Sequence, residues 1–283
     1  MARLVGILAN RPDLPGRLVA AEPEVFRVTK RDDHPLAWGL GFHQSGELLL
    51  KRRPVDDRPC IDLAEMLDGV ESDLVIGHVR RATVGALRAE NTHPFRYREL
   101  LFANTGTVGQ FADVRDDLLG ALPDFLRKSV RGETDSELVF HHLLLRLHVE
   151  GQLDQPKLGA VELASALRDT LDAVESASST VGAATSSENR LNCLVATHEH
   201  LVIARRGAPM AYLTLRGKEV LTKLFPEESL ARLRMPELEA CSVVAVASDF
   251  VDDVVPRGWT PIADSAMMIF RRSDAPIDIQ PKG

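Results

Sequence analysis

Apolar and polar positions along this chain fall into three blocks: strand-like runs, then helical stripes, then strand-like runs again. Residues 3 to 9, RLVGILA, are a short apolar run placed almost at the first residue. Asn10, Arg11 and Pro12 end it, and a polar, proline-containing segment follows up to His34 and Pro35. From Ala37 to Val55 apolar and polar residues alternate around Gln44, Ser45 and Gly46, the pattern of a β-hairpin. Residues 60 to 69 read as a short helix, and Leu74 to Ile76 and Leu100 to Ala103 as two buried strands. Residues 111 to 123 predict a helix closed by Gly120 and Pro123. A second helix opens at Thr134, with Glu137 at capping-box spacing and Leu138, His142, Leu145 and His148 recurring at helical spacing. Leu163, Leu167, Leu171 and Val174 stripe a third, which dissolves into a small polar loop over residues 176 to 190. From residue 191 onward, 192–207, 208–217, 241–250 and 266–272 are all strand-like. Strands, helices and strands in that order predict an α+β fold, a layered sandwich with helices on the outer faces of two sheets.

Composition narrows the function classes. A chain of 283 residues can bury a large core, and one domain, 1–283, is the expectation. Apolar content of 45% and charged content of 27% are ordinary for a globular protein, and no apolar run approaches the roughly 18 residues of a membrane span. A net charge of -7 argues against a nucleic-acid surface, so small molecules or proteins are the expected partners. The first residues, MARLVGILANRPD, carry no cleavable signal pattern. Cys60, Cys193 and Cys241 are odd in number, with no CxxC spacing, so neither a disulfide framework nor a zinc site is indicated and a reducing cytoplasm fits. Cys193 and Cys241 lie inside strand-like runs and read as inert buried thiols. His141, His142 and His148 share a helix, but no cysteine or acidic cluster accompanies them, and no metal or other cofactor is expected.

Chemistry concentrates in residues 76 to 109, where Gly, His, Arg, Thr and Asn sit between two short apolar runs. Neighbouring strands that end in small hydrogen-bonding residues are a common way to hold an anion or oxyanion. The stretch contains Gly77 to Gly85, which fits G-H-x-R-x-A-T-x-G, and Asn91 to Phe95, which fits N-x-H-P-F. Thr134 to Glu137 adds T-D-S-E, and Trp38 to Phe42, Asn192 to Leu194, Val246 to Asp249 and Gly258 to Trp259 extend the series. Together these features resemble the class II glutamine amidotransferases, most closely the small stand-alone members such as the γ-glutamyl amidohydrolases of ergothioneine synthesis.

That resemblance implies a four-layer α/β/β/α sandwich of the N-terminal-nucleophile hydrolase type and a glutamine or γ-glutamyl ligand. It implies Arg80 as the cation for the ligand's carboxylate, Asp135 as the anion for its ammonium, and Thr83 as a further substrate-binding residue. It also implies a cysteine nucleophile at position 2, activated by its own α-amine, and an oxyanion hole from an asparagine side chain and a glycine N–H. Two of those parts are missing. Position 2 is Ala2, and the turn reads Ala103, Asn104, Thr105, Gly106, so Thr105 stands at the oxyanion asparagine position and only Gly106 is kept. Loss of a nucleophile costs on the order of a million-fold in well-studied hydrolases, and loss of one oxyanion donor about a hundred- to a thousand-fold. The expectation is a pseudoenzyme that binds glutamine, a γ-glutamyl compound or a protein partner without hydrolysing it. The alternative is an active amidotransferase or amidohydrolase whose cysteine was mutated to Ala2 or replaced unconventionally. Arg80 and Asp135 could also pair with each other as a structural salt bridge. His93 reads as a loop lock, and Arg81 as a solvated or packing charge.

Overall fold

In a computed structural model of the chain, the structure describes residues 2–32, 34–81, 86–155, 157–180, 190–225, 240–272 and 274–279. The chain opens with strand β1 (Arg3–Ala9), followed by helices α1 (Leu14–Ala21) and α2 (Pro23–Phe26) and strand β2 (Arg27–Thr29). The polar segment expected up to Pro35 therefore holds three elements, anchored by buried Leu14, Leu18, Val19, Val25, Phe26 and Val28. The expected hairpin is β3 (Leu36–Gln44) and β4 (Glu47–Asp56). Its turn residues Ser45 and Gly46 both have positive φ, the conformation two-residue hairpin turns favour. Residues 60 to 69 divide into strand β5 (Cys60–Asp62) and a four-residue helix α3 (Leu63–Met66), capped by the Asp62 carboxylate on the Ala64 N–H. Next come β6 (Leu74–Arg81), β7 (Phe95–Tyr97) and β8 (Leu100–Thr107).

Four helices follow: α4 (Phe111–Gly120), α5 (Asp124–Arg127), α6 (Asp135–Val149) and α7 (Ala160–Thr180). Thr134 caps α6 as expected, accepting the Glu137 N–H, but Glu137 turns its carboxylate to the N–H groups of Arg131 and Gly132 instead of closing the box. The stripe expected on α6 is corrected: Phe140, Leu143, Leu144 and Leu147 are buried with Leu138, whereas His142 and Leu145 are half-buried and His148 is exposed. The helix is covered on most sides, so no narrow stripe marks its inner face. Leu163, Leu167, Leu171 and Val174 of α7 are fully buried, as expected. That helix continues to Thr180, so the loop expected from residue 176 begins later, and 181–189 lie outside the described residues. The last block is β9 (Arg190–Ala196), β10 (His200–Ala204), β11 (Met210–Arg216), α8 (Lys218–Leu224), β12 (Ser242–Ser248), β13 (Thr260–Pro261), β14 (Met267–Arg271) and β15 (Ile277–Ile279).

These strands form a seven-stranded sheet, ordered β13-β11-β12-β1-β6-β3-β4, and a six-stranded sheet, ordered β15-β14-β10-β9-β8-β7. Alternation along each strand decides which layer a side chain enters. In β1, Leu4 and Leu8 meet Leu101, Ala103, Leu194 and Leu201 between the two sheets, while Val5, Ile7 and Ala9 face the core under α1, α3 and α8. On the far side of the second sheet, Phe102, Cys193 and Val202 pack against α4, α6 and α7. The result is the α/β/β/α sandwich of an α+β fold. Glycine lets the sheets approach: a Cβ on Gly41 would stand 2.8 Å from Leu101 Cδ2. The two polar runs of the 76–109 stretch thus end strands in facing sheets, not neighbouring strands of one sheet. No helix among the described residues is long and apolar enough to cross a membrane.

Candidate functional site

The candidate residues converge where β1 begins and β6 and β8 end. Arg3 pairs with Val79, so Ala2, one position earlier, lies beside Arg80 on the adjacent strand. Arg80 is buried, and its Nη1 donates to the Asn91 carbonyl at 2.8 Å. Burial lowers its pKa from the ordinary arginine value, with the Asp135 carboxylate acting in the opposite direction. Asp135 is the first residue of α6 and is also buried. Its Oδ2 accepts the Val108 N–H at 2.9 Å, and its Oδ1 accepts the Ser136 N–H at 2.8 Å and the Ser136 hydroxyl at 3.3 Å. Burial dominates and raises its pKa, the three hydrogen bonds pulling it back. Asp135 therefore ties the start of α6 to the end of β8 as well as presenting a carboxylate to the site. Thr83 lies outside the described residues. Arg81 is exposed and pairs with Asp32 at 2.8 Å, as a solvated charge does.

On the facing sheet, Thr105 points between the layers, as Leu101 and Ala103 do on the same strand. Its hydroxyl sits 3.4 Å from the hydroxyl of Ser248, which donates a short hydrogen bond to the Asp249 carboxylate. Since the Ser248 proton is used on Asp249, Ser248 can only accept from Thr105. At 3.4 Å that contact is long for an O–H···O bond. A threonine hydroxyl also reaches one bond less far from the backbone than an asparagine amide. Gly106 has φ +113°, and a Cβ there would come 1.4 Å from the Arg190 carbonyl oxygen. Backbone packing alone requires glycine at that position.

A second cluster backs Arg80. His78 and His93 are buried with ring centroids 4.2 Å apart, and His93 also meets Phe95 edge-on at 4.7 Å. His93 Nε2 donates to Asn104 Oδ1 at 3.1 Å, joining the 91–94 loop to β8 as the loop-lock reading expects. Burial pushes His93 down to about 3 and His78 well below the ordinary imidazole value, so both rings are neutral. Both His78 nitrogens, His93 Nδ1 and Asn104 Nδ2 are buried without a hydrogen-bond partner.

None of the three cysteines supplies a thiol here. Cys60 belongs to the small β2–β5 sheet, and Cys193 faces the helix layer, where burial raises its thiol pKa far above the ordinary range. Cys241 precedes β12 at the end where Val243 pairs with Ala9, the opposite end of β1 from Ala2. Among the described residues no group of three or more His, Cys, Asp or Glu could hold a metal ion. Reading the sequence did not single out Ser248 and Asp249 as site residues. The available signal was the segment Val246 to Asp249, which entered only as part of the family resemblance.

Comparison with known proteins fits this arrangement. The family profile of class II glutamine amidotransferases matches residues 16–278. The chain is 28% identical to an uncharacterized protein of Methanocaldococcus jannaschii, over 97% of this chain and 70% of that one. It is 26% identical to a probable glutamine amidotransferase of Saccharomyces cerevisiae, over 77% of this chain and 65% of that one. Among solved structures, a glutamine aminotransferase class-II domain protein from Silicibacter pomeroyi superimposes with TM-score 0.58 at 18% identity, covering 99% of this chain and 100% of that one. A predicted glutamine amidotransferase from Pseudomonas aeruginosa gives TM-score 0.57 at 20% identity, over 96% and 98% of the two chains. At such identities these two likenesses speak for the fold. With the profile spanning most of the sequence, the chain belongs to the class II glutamine amidotransferases.

Proposed function

We propose that this protein keeps the amino-acid recognition of its family and has lost hydrolysis, binding glutamine or a γ-glutamyl compound as a sensor or regulatory subunit. The observation that carries the reading is Ala2. At the start of β1, beside Arg80, a methyl group stands where the chemistry needs sulfur, and no cysteine lies near enough to replace it. Thr105 supports the same reading, because its hydroxyl faces Ser248 and cannot reach as far as an asparagine amide. On the recognition side, buried Arg80 suits a carboxylate and buried Asp135 suits an ammonium, each preorganised by hydrogen bonds to backbone.

Calorimetric titration with glutamine and γ-glutamyl compounds tests the reading. Binding that is lost in Arg80→Ala is the expected result, and no binding up to millimolar concentration would leave only a scaffold for a protein partner. Ammonia release from glutamine, on protein whose N-terminal mass has been verified, would refute it. If that activity vanished in Ser248→Ala, the alternative of an enzyme with an unconventional nucleophile would take its place. The double variant Ala2→Cys, Thr105→Asn asks whether the rest of the pocket is intact, and recovered glutaminase activity is the expected outcome.

A further inference from the structure

Arg80 and Asp135 stand on different elements, at the end of β6 and the start of α6, and one buried residue joins them. That residue is Asn91, which closes a single 3₁₀ turn, Ala89–Asn91, and is 1% exposed. Its backbone carbonyl accepts Arg80 Nη1 at 2.8 Å, while its side-chain Oδ1 accepts the Glu133 N–H at 2.9 Å. Its Nδ2 donates to the Ala86 carbonyl at 2.9 Å, so both ends of the amide are used and its orientation is fixed.

Glu133 leads directly into the Thr134 cap and Asp135. Three successive N–H groups before the helix are taken by side-chain oxygens, those of Arg131 and Gly132 by Glu137 and that of Glu133 by Asn91. Glycine makes the room for this junction: a Cβ on Gly132 would stand 2.3 Å from Asn91 Oδ1 and 2.8 Å from Glu137 Oε2. The 89–94 segment is also held from its other side, where Arg52 donates to the carbonyls of Ala89 at 3.3 Å and of Pro94. Only the covalent bonds of one residue therefore lie between the Arg80 guanidinium and the backbone that carries Asp135.

An α-amino acid bears its carboxylate and ammonium on a single carbon, so a cation and an anion that bind both must be held at a matching separation. A misplacement of about 1 Å in such a site can cost on the order of a hundredfold. We propose that Asn91 is a positioning residue, which sets the separation of Arg80 from Asp135 and thereby favours ligands that carry both charges on one carbon. The proposal rests on the amino-acid reading above, and Asn91 acts through the two charged residues, not by contact with the ligand.

The test compares glutamine with two truncated forms, 4-carbamoylbutanoate, which lacks the ammonium, and 4-aminobutanamide, which lacks the carboxylate. In Asn91→Ala the advantage of glutamine over each truncated form is expected to fall about tenfold, with the truncated forms bound as in wild type. Asn91→Asp is expected to recover part of the advantage, because it keeps an oxygen facing the Glu133 N–H. A general loosening of the fold would instead weaken all three compounds by one factor, and that result, or an unchanged advantage, overturns the proposal. Should Asn91→Ala fail to fold, Gly132→Ala replaces it, since the added methyl parts the same junction without deleting a hydrogen-bonding group. Hydrogen exchange in the ligand-free protein supplies a second arm. The Glu133 amide, the Val108 amide that donates to Asp135, and the Arg80 guanidinium should all exchange about tenfold faster in the variant, with α7 unchanged. Unchanged exchange at Val108 or Arg80 overturns the positioning role. This arm needs no ligand, so it decides the matter even if wild type binds none of the three compounds.

Discussion

Acid should destabilise this protein through the imidazoles behind Arg80, and His93 gives the size of the effect. Burial holds its folded pKa at about 3, against 6.5 for an ordinary histidine. The unfolded chain therefore takes up the proton first, stability from this group is fully present above pH 6.5, and it is lost as the pH falls below that value. Between pH 7 and pH 5 the loss from His93 alone is about 1.9 kcal/mol, from the ratio of proton binding by an unfolded imidazole at the two pH values. His78 shifts in the same direction, as do His43, His141, His142 and His200, so the raw pH dependence of the wild type is a sum. Asp56, held at about 2 by Arg58 and the Trp38 indole, titrates below this window. The informative measurement is a difference: denaturant unfolding at pH 7 and pH 5 for wild type and for His93→Gln, which keeps a donor for Asn104 Oδ1 and removes the titration. The variant should lose about 1.9 kcal/mol less than wild type over that interval. In parallel, the His93 ring resonances of the folded protein should stay flat from pH 8 to pH 5. A ring that titrates near 6.5 in the folded state, or a variant with undiminished pH dependence, would show that the pair is not sealed from solvent.

Other sites give independent checks by chemical denaturation. Gly106→Ala should destabilise by about 3 kcal/mol or prevent folding, since the new methyl meets the Arg190 carbonyl and φ is +113°. Thr134→Ala should cost about 1 kcal/mol through loss of the hydroxyl that accepts the Glu137 N–H at 3.3 Å; an unchanged unfolding midpoint would mean that cap is idle. Leu167→Ala, in the fully buried stripe of α7, should cost about 2–5 kcal/mol, and a loss under 1 kcal/mol would show that the helix layer is loosely packed.

Legibility in the sequence followed the size of the local signal. β1, β6, β8, β9, β10 and β12 are largely apolar runs buried on both faces, which few other structures could absorb. α1 and α2 were not legible: they are eight and four residues long, carry Pro15, Gly16 and Pro23, and are held by contacts with the sheet rather than by their own propensity. β2 and β5 have three residues each and exist through each other, Val28 opposite Ile61 across 33 positions of chain. Distance in sequence also hid part of the site. Thr105 and Ser248 are 143 residues apart and in different sheets, so no local pattern joins them.

Motif matches at the site differ in what they can mean, and the structure separates them. Gly106 fits the family turn, yet its positive φ and the Arg190 carbonyl demand glycine whether or not an oxyanion is ever bound. Its presence therefore speaks for the pairing of β8 with β9 and not for chemistry. Asp135 is intermediate: three hydrogen bonds to Val108 and Ser136 give it a structural task, and its burial in a site with Arg80 nearby leaves it suited to a ligand as well. Ala2 and Thr105 are the positions on which the proposed loss of hydrolysis rests: Ala2 lies beside Arg80, and the Thr105 hydroxyl faces Ser248 Oγ at 3.4 Å.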